Sequence, residues 1–215
     1  MSDTNDTPQT EPVRDDEHMQ WVSWLRSAAP YVHLHHGRTF VISFAGEVVA
    51  DRTLLNHLVM DVSLIASMGV RVVLVHGSRP QIETLMELRK LQGRFHKGVR
   101  ITGPQELECV KEACGETRFD IEAAFSQGLP NTPMQHSRVK VVSGNFVTAR
   151  PMGVIDGVDY LHTGLVRKVD AESIRDLLSR GNIVLVSPTG FSPTGEAFNL
   201  SLIHISEPTR RRGIS

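Results

Sequence analysis

From Val70 to Val75 the chain places one aliphatic residue after another, interrupted by Arg71 alone, and then stops at His76-Gly77 and changes period. Such a run predicts a parallel strand buried on both faces, which makes the fold class α/β. Ser78 as a cap, Pro80 in the first turn, and Ile82, Leu85, Met86 and Leu88 at helical spacing predict a helix directly after it. Strand, glycine turn and helix together form an anion-binding layout. The N–H groups at the helix start carry the positive end of the dipole, and Gly77 lets a ligand come close to the turn.

A second unit of the same kind precedes it. Thr39 to Glu47 reads as a strand that also ends in a glycine turn, and Asp51 to Met68 as a helix with Leu54, Leu55, Leu58, Val59, Val62, Leu64 and Ile65 on its buried side. Gly69 closes that helix as its C-terminal cap. Thr39 to Val75 is then a βαβ unit with a right-handed crossover, so Gly46 and Gly77 should face one crevice at the carboxyl ends of their strands.

Around this centre the chain is less regular. Met1 to Glu17 is polar and predicts a disordered tail, and residues 18–38 an N-terminal helix with a linker. That helix carries Trp21 and Trp24 as a candidate partner surface, and Pro30 should bend or end it. His33, His35 and His36 have no Cys, Asp or Glu beside them to complete a metal site, so they read as a wet loop, and no metal is expected. Pro104 to Cys114 and Thr117 to Leu129 read as two helices, ended by Pro130 and Pro133. The two cysteines, Cys109 and Cys114, are expected as small buried groups. Val139 to Val142 should be a strand with Phe146 to Arg150 as its antiparallel continuation. Val166 to Val169 and Ile183 to Pro188 should be further strands, separated by a helix from Ala171 to Ser179 that Asp170 caps. The net charge of −1 gives no footprint for nucleic acid or an anionic membrane, and no apolar run approaches the roughly 20 residues of a spanning helix, so a cytoplasmic protein is expected.

The two turns, Ile42-Ser-Phe-Ala-Gly-Glu47 and Val75-His-Gly-Ser-Arg-Pro-Gln-Ile82, resemble the glycine turns of the amino-acid kinase fold. Four later stretches resemble bacterial N-acetylglutamate synthases in particular. They are His96-Lys-Gly-Val-Arg-Ile-Thr102, Asn131-Thr-Pro-Met134, Val142 to Gly153, and Val154-Ile-Asp-Gly-Val-Asp-Tyr160. The similarity runs from about Trp21 to Leu200. It implies a three-layer amino-acid kinase-like sandwich over residues 39–200 with a mainly parallel central sheet, incomplete at its C-terminus.

The chain departs from the kinase pattern where chemistry would need it. A kinase of this family keeps a lysine in the first strand, because phosphoryl transfer needs a cation near the moving phosphate. Here Ser43 holds that place, Ala45 replaces a glycine, and the second turn reads Gly77-Ser78-Arg79. The resemblance therefore implies vestigial nucleotide- or anion-binding turns (Ser43, Gly46, Gly77, Ser78, Arg79) and no catalytic residue of its own. It also implies a vestigial acyl-amino-acid pocket with Asn145, Asp156 and Asp159, although Asp156-Gly157 is equally a plain turn signal. The Ser192 to Leu200 loop, with Glu196 and Asn199, should lie beside the crevice.

After Leu200 the resemblance stops, and residues 201–215, with Pro208 and three arginines, are expected to be a non-native tail. The family's acetyltransferase domain is absent from these residues. What the resemblance implies is the regulatory and assembly domain of an enzyme that acetylates L-glutamate with acetyl-CoA at the first step of arginine biosynthesis. No cofactor is expected in this stretch. L-Arginine would act as feedback inhibitor, with Tyr31 near its site, and the domain would form homo-oligomers. Two other readings stand beside it: an arginine-sensing binding module, and an acetylglutamate kinase-type phosphotransferase, against which Ser43 weighs.

Overall fold

The computed structural model describes residues 15–127, 139–202 and 205, and the chain falls into two units, Met1–His36 and Gly37–Ser215. The first holds one helix, α1 (Asp15–His35). It continues through Pro30 and does not end there. Proline removes a single N–H, and the next turn recovers, with the His36 N–H bonding the Val32 carbonyl at 2.9 Å. His33 and His35 consequently sit on the last helical turn and not in a loop. Trp21 and Trp24 meet edge to face at 6.3 Å, and both are exposed, as is Tyr31.

The second unit begins with β1 (Thr39–Phe44), a short α2 (Gly46–Ala50), α3 (Arg52–Ser67), β2 (Arg71–His76) and α4 (Arg79–Leu88). It continues with β3 (Arg94–His96), β4 (Val99–Ile101), α5 (Pro104–Ser126), β5 (Val141–Ser143), β6 (Val147–Pro151), β7 (Val154–Ile155) and β8 (Val158–Asp159). β9 (Gly164–Val169), α6 (Ala171–Ser179), β10 (Ile183–Val186), β11 (Thr189–Phe191) and β12 (Ala197–Asn199) complete it. Asp51 caps α3 by accepting from Thr53 N at 2.8 Å and Leu54 N at 3.1 Å, and Gly69 leaves that helix in the left-handed region at φ +85°. Asp170 caps α6 in the same way.

The central sheet is parallel, in the order β1-β2-β10-β5, and β1 runs beside β2 from Thr39↔Arg71 to Phe44↔His76. β2 is buried on both sides because each face has its own core. Val72 and Leu74 join Ile183 and Leu185 against Val59 and Val62 of α3 and Ile121 of α5. Val73 and Val75 join Val184 and Val186 against Ile174 and Leu178 of α6 and against Val147, Ala149 and Phe198 of a second sheet, ordered β12-β11-β6-β9. The three layers are thus helices, parallel sheet, and second sheet with α6. No described helix is long and apolar enough to cross a membrane.

Several sequence expectations change here. The predicted pair of helices from Pro104 is one helix, α5: Gly115 costs only about 1 kcal/mol in a helix interior, while buried Ala113, Cys114, Thr117 and Ile121 carry the inward face across it. Both cysteines are buried. Pro130, Pro133 and the Asn131-Thr-Pro-Met134 stretch lie outside the described residues. β6 does not continue β5 as a hairpin; it pairs with β9 and β11 in the second sheet, so Gly144 to Phe146 crosses between layers. Leu54 and Leu64 point outward from α3, and Leu88 at the end of α4 is 75% exposed. Leu202 and Ile205, in the stretch expected to be non-native, pack into the second core, and Ile205 is fully buried.

Candidate functional site: a cavity between two glycine turns

The turns after β1 and β2 lie back to back. Gly77 N–H donates to the Phe44 carbonyl at 2.8 Å, and a Cβ on Gly77 would stand 3.2 Å from the Gly46 nitrogen. A Cβ on Gly46 would meet Gln81 Oε1 at 2.5 Å and Pro80 Cδ at 2.8 Å. Gly77 therefore serves close approach of backbone to backbone, and Gly46 leaves room for the Gln81 and Pro80 side chains. Gln81 Nε2 fastens the pair by donating to the Gly46 carbonyl at 2.8 Å.

Beneath the turns His76 is fully buried. Its Nε2 lies 2.9 Å from Ser187 Oγ, and its Nδ1 lies 3.3 Å from both the Gly77 carbonyl and Ser78 Oγ. Burial lowers its pKa to about 4, so the ring is neutral at physiological pH. Ser78 begins α4 but makes no side-chain cap, because its hydroxyl turns down to His76 and to Cys114. Burial pushes the Cys114 thiol up to about 11, opposed by that Ser78 hydrogen bond.

The turns form one wall of a cavity of about 550 Å³. Gly46, Gly77, Ser78 and Arg79 line this side. The opposite wall comes from Phe95, Gly98, Val99 and Arg100 of the β3–β4 hairpin, from Met152, and from Thr163 and Asn199. A buried polar network shapes the latter: Thr163 Oγ1 donates to the Arg100 carbonyl at 2.7 Å, and Asn199 Nδ2 donates to Thr102 Oγ1 at 3.0 Å. His162 Nδ1 lies 3.4 Å from Glu196 Oε1 at the edge of the same network, without hydrogen-bond geometry.

Arg79 and Arg100 are the cations among the described lining residues, and both are engaged. Arg79 Nε lies 2.9 Å and Arg100 Nη2 3.0 Å from the same Glu83 oxygen. Arg100 also places Nη1 3.1 Å from Met86 Sδ and its guanidinium carbon 4.8 Å over the Phe95 ring. Its burial draws its pKa below the usual guanidinium value, with Glu83 opposing. Such a cavity can bind a small, partly apolar molecule. Its guanidiniums are held by a carboxylate and not aimed together at a phosphate.

The sequence-predicted residues divide accordingly. Gly46, Gly77, Ser78 and Arg79 come together on the cavity wall, whereas Ser43 is exposed on β1 outside the lining. Asn145 is exposed between β5 and β6; Asp156 is ion-paired with Lys97; Asp159 accepts from the Leu161 N–H at 3.0 Å. None of the three lines the cavity. Arg100, Phe95 and Thr163 were not singled out by sequence. The available signal was Arg100 between Val99 and Ile101, a charge set into a short apolar strand after a Lys-Gly turn.

A sequence model of the Amino acid kinase family matches residues 38–203. The chain is 57% identical over 193 residues to an amino-acid acetyltransferase of Ralstonia nicotianae, covering 90% of this chain and 43% of that protein. It is 52% identical over 181 residues to the amino-acid acetyltransferase of Ectopseudomonas mendocina, covering 84% and 42%. Among solved structures, N-acetylglutamate synthase of Neisseria gonorrhoeae complexed with coenzyme A and L-arginine superposes with a TM-score of 0.78 at 34% identity, over 87% of this chain and 44% of that one. The same enzyme with coenzyme A and N-acetyl-glutamate gives 0.77 at 35%, over 87% and 42%. The chain thus spans somewhat under half the length of the curated relatives it matches.

Proposed function

Because the chain belongs to the amino acid kinase family, we propose that it is the kinase-like part of an N-acetylglutamate synthase, retaining the fold and its cavity without phosphoryl transfer. The whole protein would move acetyl from acetyl-CoA to L-glutamate at the first step of arginine biosynthesis, in the cytoplasm. The acetyltransferase half would lie outside this chain's span. Identity of 57% to an amino-acid acetyltransferase more than twice as long supports this reading.

The observation that carries it is the arrangement of positive charge. Phosphoryl transfer needs cations aimed at the transferred group. Here both guanidiniums that line the cavity are held by Glu83, and the strand position where the family's kinases keep a lysine is the neutral Ser43, outside the lining. We read the cavity as a remnant acyl-amino-acid pocket, its polar wall drawn from Arg100, Thr163 and Asn199 and not from Asn145, Asp156 and Asp159. Gly46, Gly77, Ser78 and Arg79 would be the remnant of the nucleotide side. An assay for ATP-dependent phosphorylation of N-acetyl-L-glutamate by this chain tests it: no turnover above the protein-free rate is expected, and turnover would overturn it.

Regulation is the remaining role for such a domain. A relative is known in complex with L-arginine, which supports feedback binding here; that Tyr31 of α1 lies at the arginine site and that the domain forms homo-oligomers are further parts of the proposal. Calorimetric titration with L-arginine tests the sensing role, since the absence of both heat and a rise in melting temperature would remove it.

A further inference from the structure

Two positive side chains line the cavity, and one internal carboxylate serves both. Arg79 opens α4, Glu83 stands one helical turn further on, and Arg100 reaches across from β4. The two guanidiniums meet the same oxygen, Glu83 Oε1, at 2.9 and 3.0 Å, yet Glu83 does not itself line the cavity. Neutral groups hold the rest of the mostly buried Arg100 head: Met86 Sδ at 3.1 Å and the face of Phe95 at 4.8 Å. Of the other acids nearby, Glu47 on the lining makes no ion pair with either arginine, and Glu106 of α5 acts on Arg100 only through space. Two guanidiniums converging on one carboxylate oxygen is the arrangement that an incoming carboxylate would itself need.

Taking the cavity as the remnant acyl-amino-acid pocket, on which this rests, we infer that Glu83 is a built-in counterion that occupies its two arginines and so keeps small aliphatic carboxylates out. Space is not what excludes them, because about 550 Å³ lies within the usual range of small-molecule sites, and Val99, Met152 and Leu200 offer an apolar wall to a methylene chain. An external carboxylate has to displace one that is tethered beside Arg79 and therefore competes at high effective concentration. It exchanges one ion pair for another and gains little to offset the cost of its own ordering.

Calorimetric titration of the intact chain with glutarate, and with its neutral isostere glutaramide, tests the assignment. The parent should bind neither measurably. Glu83→Gln should bind glutarate at least about ten-fold more tightly than the parent and should still ignore glutaramide. Its melting temperature should rise with glutarate concentration, as that of the parent should not. Glu83→Asp keeps the charge but shortens its reach by one methylene, so it disturbs the fold less and should show a smaller gain of the same sign. Adding Arg100→Met to Glu83→Gln should abolish the gain. Equal glutarate affinity in the parent and both Glu83 variants, a gain shared with glutaramide, or a gain that survives Arg100→Met would overturn the role of Glu83. Failure of the remnant-pocket reading shows elsewhere, as phosphoryl transfer in the ATP assay, since no nucleotide enters this titration.

Discussion

His76 Nε2 meets Ser187 Oγ at 2.9 Å, and these residues, 111 apart in sequence, join the ends of β2 and β10 beneath the cavity. The bond suits a neutral ring, and burial lowers the His76 pKa from 6.5 to about 4. In the unfolded chain the ring takes a proton first as pH falls, so the contribution to stability is complete above about 6.5. It is then lost between 6.5 and 4, by about 1.4 kcal/mol per pH unit and on the order of 3 kcal/mol in all. Denaturant unfolding at pH 7.5, 5.5 and 4.5 should show His76→Gln less stable at pH 7.5 but less sensitive to acid. Equal acid slopes in parent and variant would refute the assignment.

Gly46→Ala should loosen the pairing of the two turns. Its methyl group would overlap Pro80 Cδ at 2.8 Å and approach the Ser78 backbone at 3.1 Å, and a proline ring yields less readily than the end of Gln81. Overpacking of this kind costs about 1–3 kcal/mol. Gly115→Ala, on α5 with nothing within 4 Å of the added atom, should instead be neutral or stabilising. The difference between their unfolding midpoints is the check.

The two thiols should be silent in the native state. Cys109 and Cys114 are buried and burial raises the Cys114 pKa to about 11, so little thiolate exists at pH 8. Ellman's reagent should react slowly with folded protein and promptly with two thiols after addition of guanidinium chloride. A fast native reaction would show that α5 opens readily.

How far the sequence could be read depended on whether an interaction was local. β2 was legible because a double-sided burial site demands an unbroken apolar run, and α6 because Asp170 and Gly181 mark its ends. The opposed glycine turns followed from the βαβ pattern. The pairing of β6 is not legible in sequence because its partners, β9 and β11, lie far along the chain, and register with distant strands leaves little trace in a five-residue segment. The role of Arg100 is hidden for a related reason. A strand arginine ordinarily faces water, and only the meeting of Glu83, Met86 and Phe95 around it makes this one part of a wall.

That meeting leads to an asymmetry among three substitutions. Glu83 serves two guanidiniums of unequal burial: the Arg79 side chain is 73% exposed and that of Arg100 only 12%. Removing Arg79 deletes a surface pair, so Arg79→Ala should change stability by less than about 0.5 kcal/mol. Glu83→Gln leaves the Arg100 charge partly buried without its counterion, which should cost about 1–3 kcal/mol because water screens the exposed side only partly. Arg100→Met removes the charge while keeping contact with Met86 and Phe95, and combined with Glu83→Gln it should recover most of that loss. Unfolding free energies of the single and double variants form the cycle, and additive losses at Glu83 and Arg100 would mean that the two side chains do not act on one another.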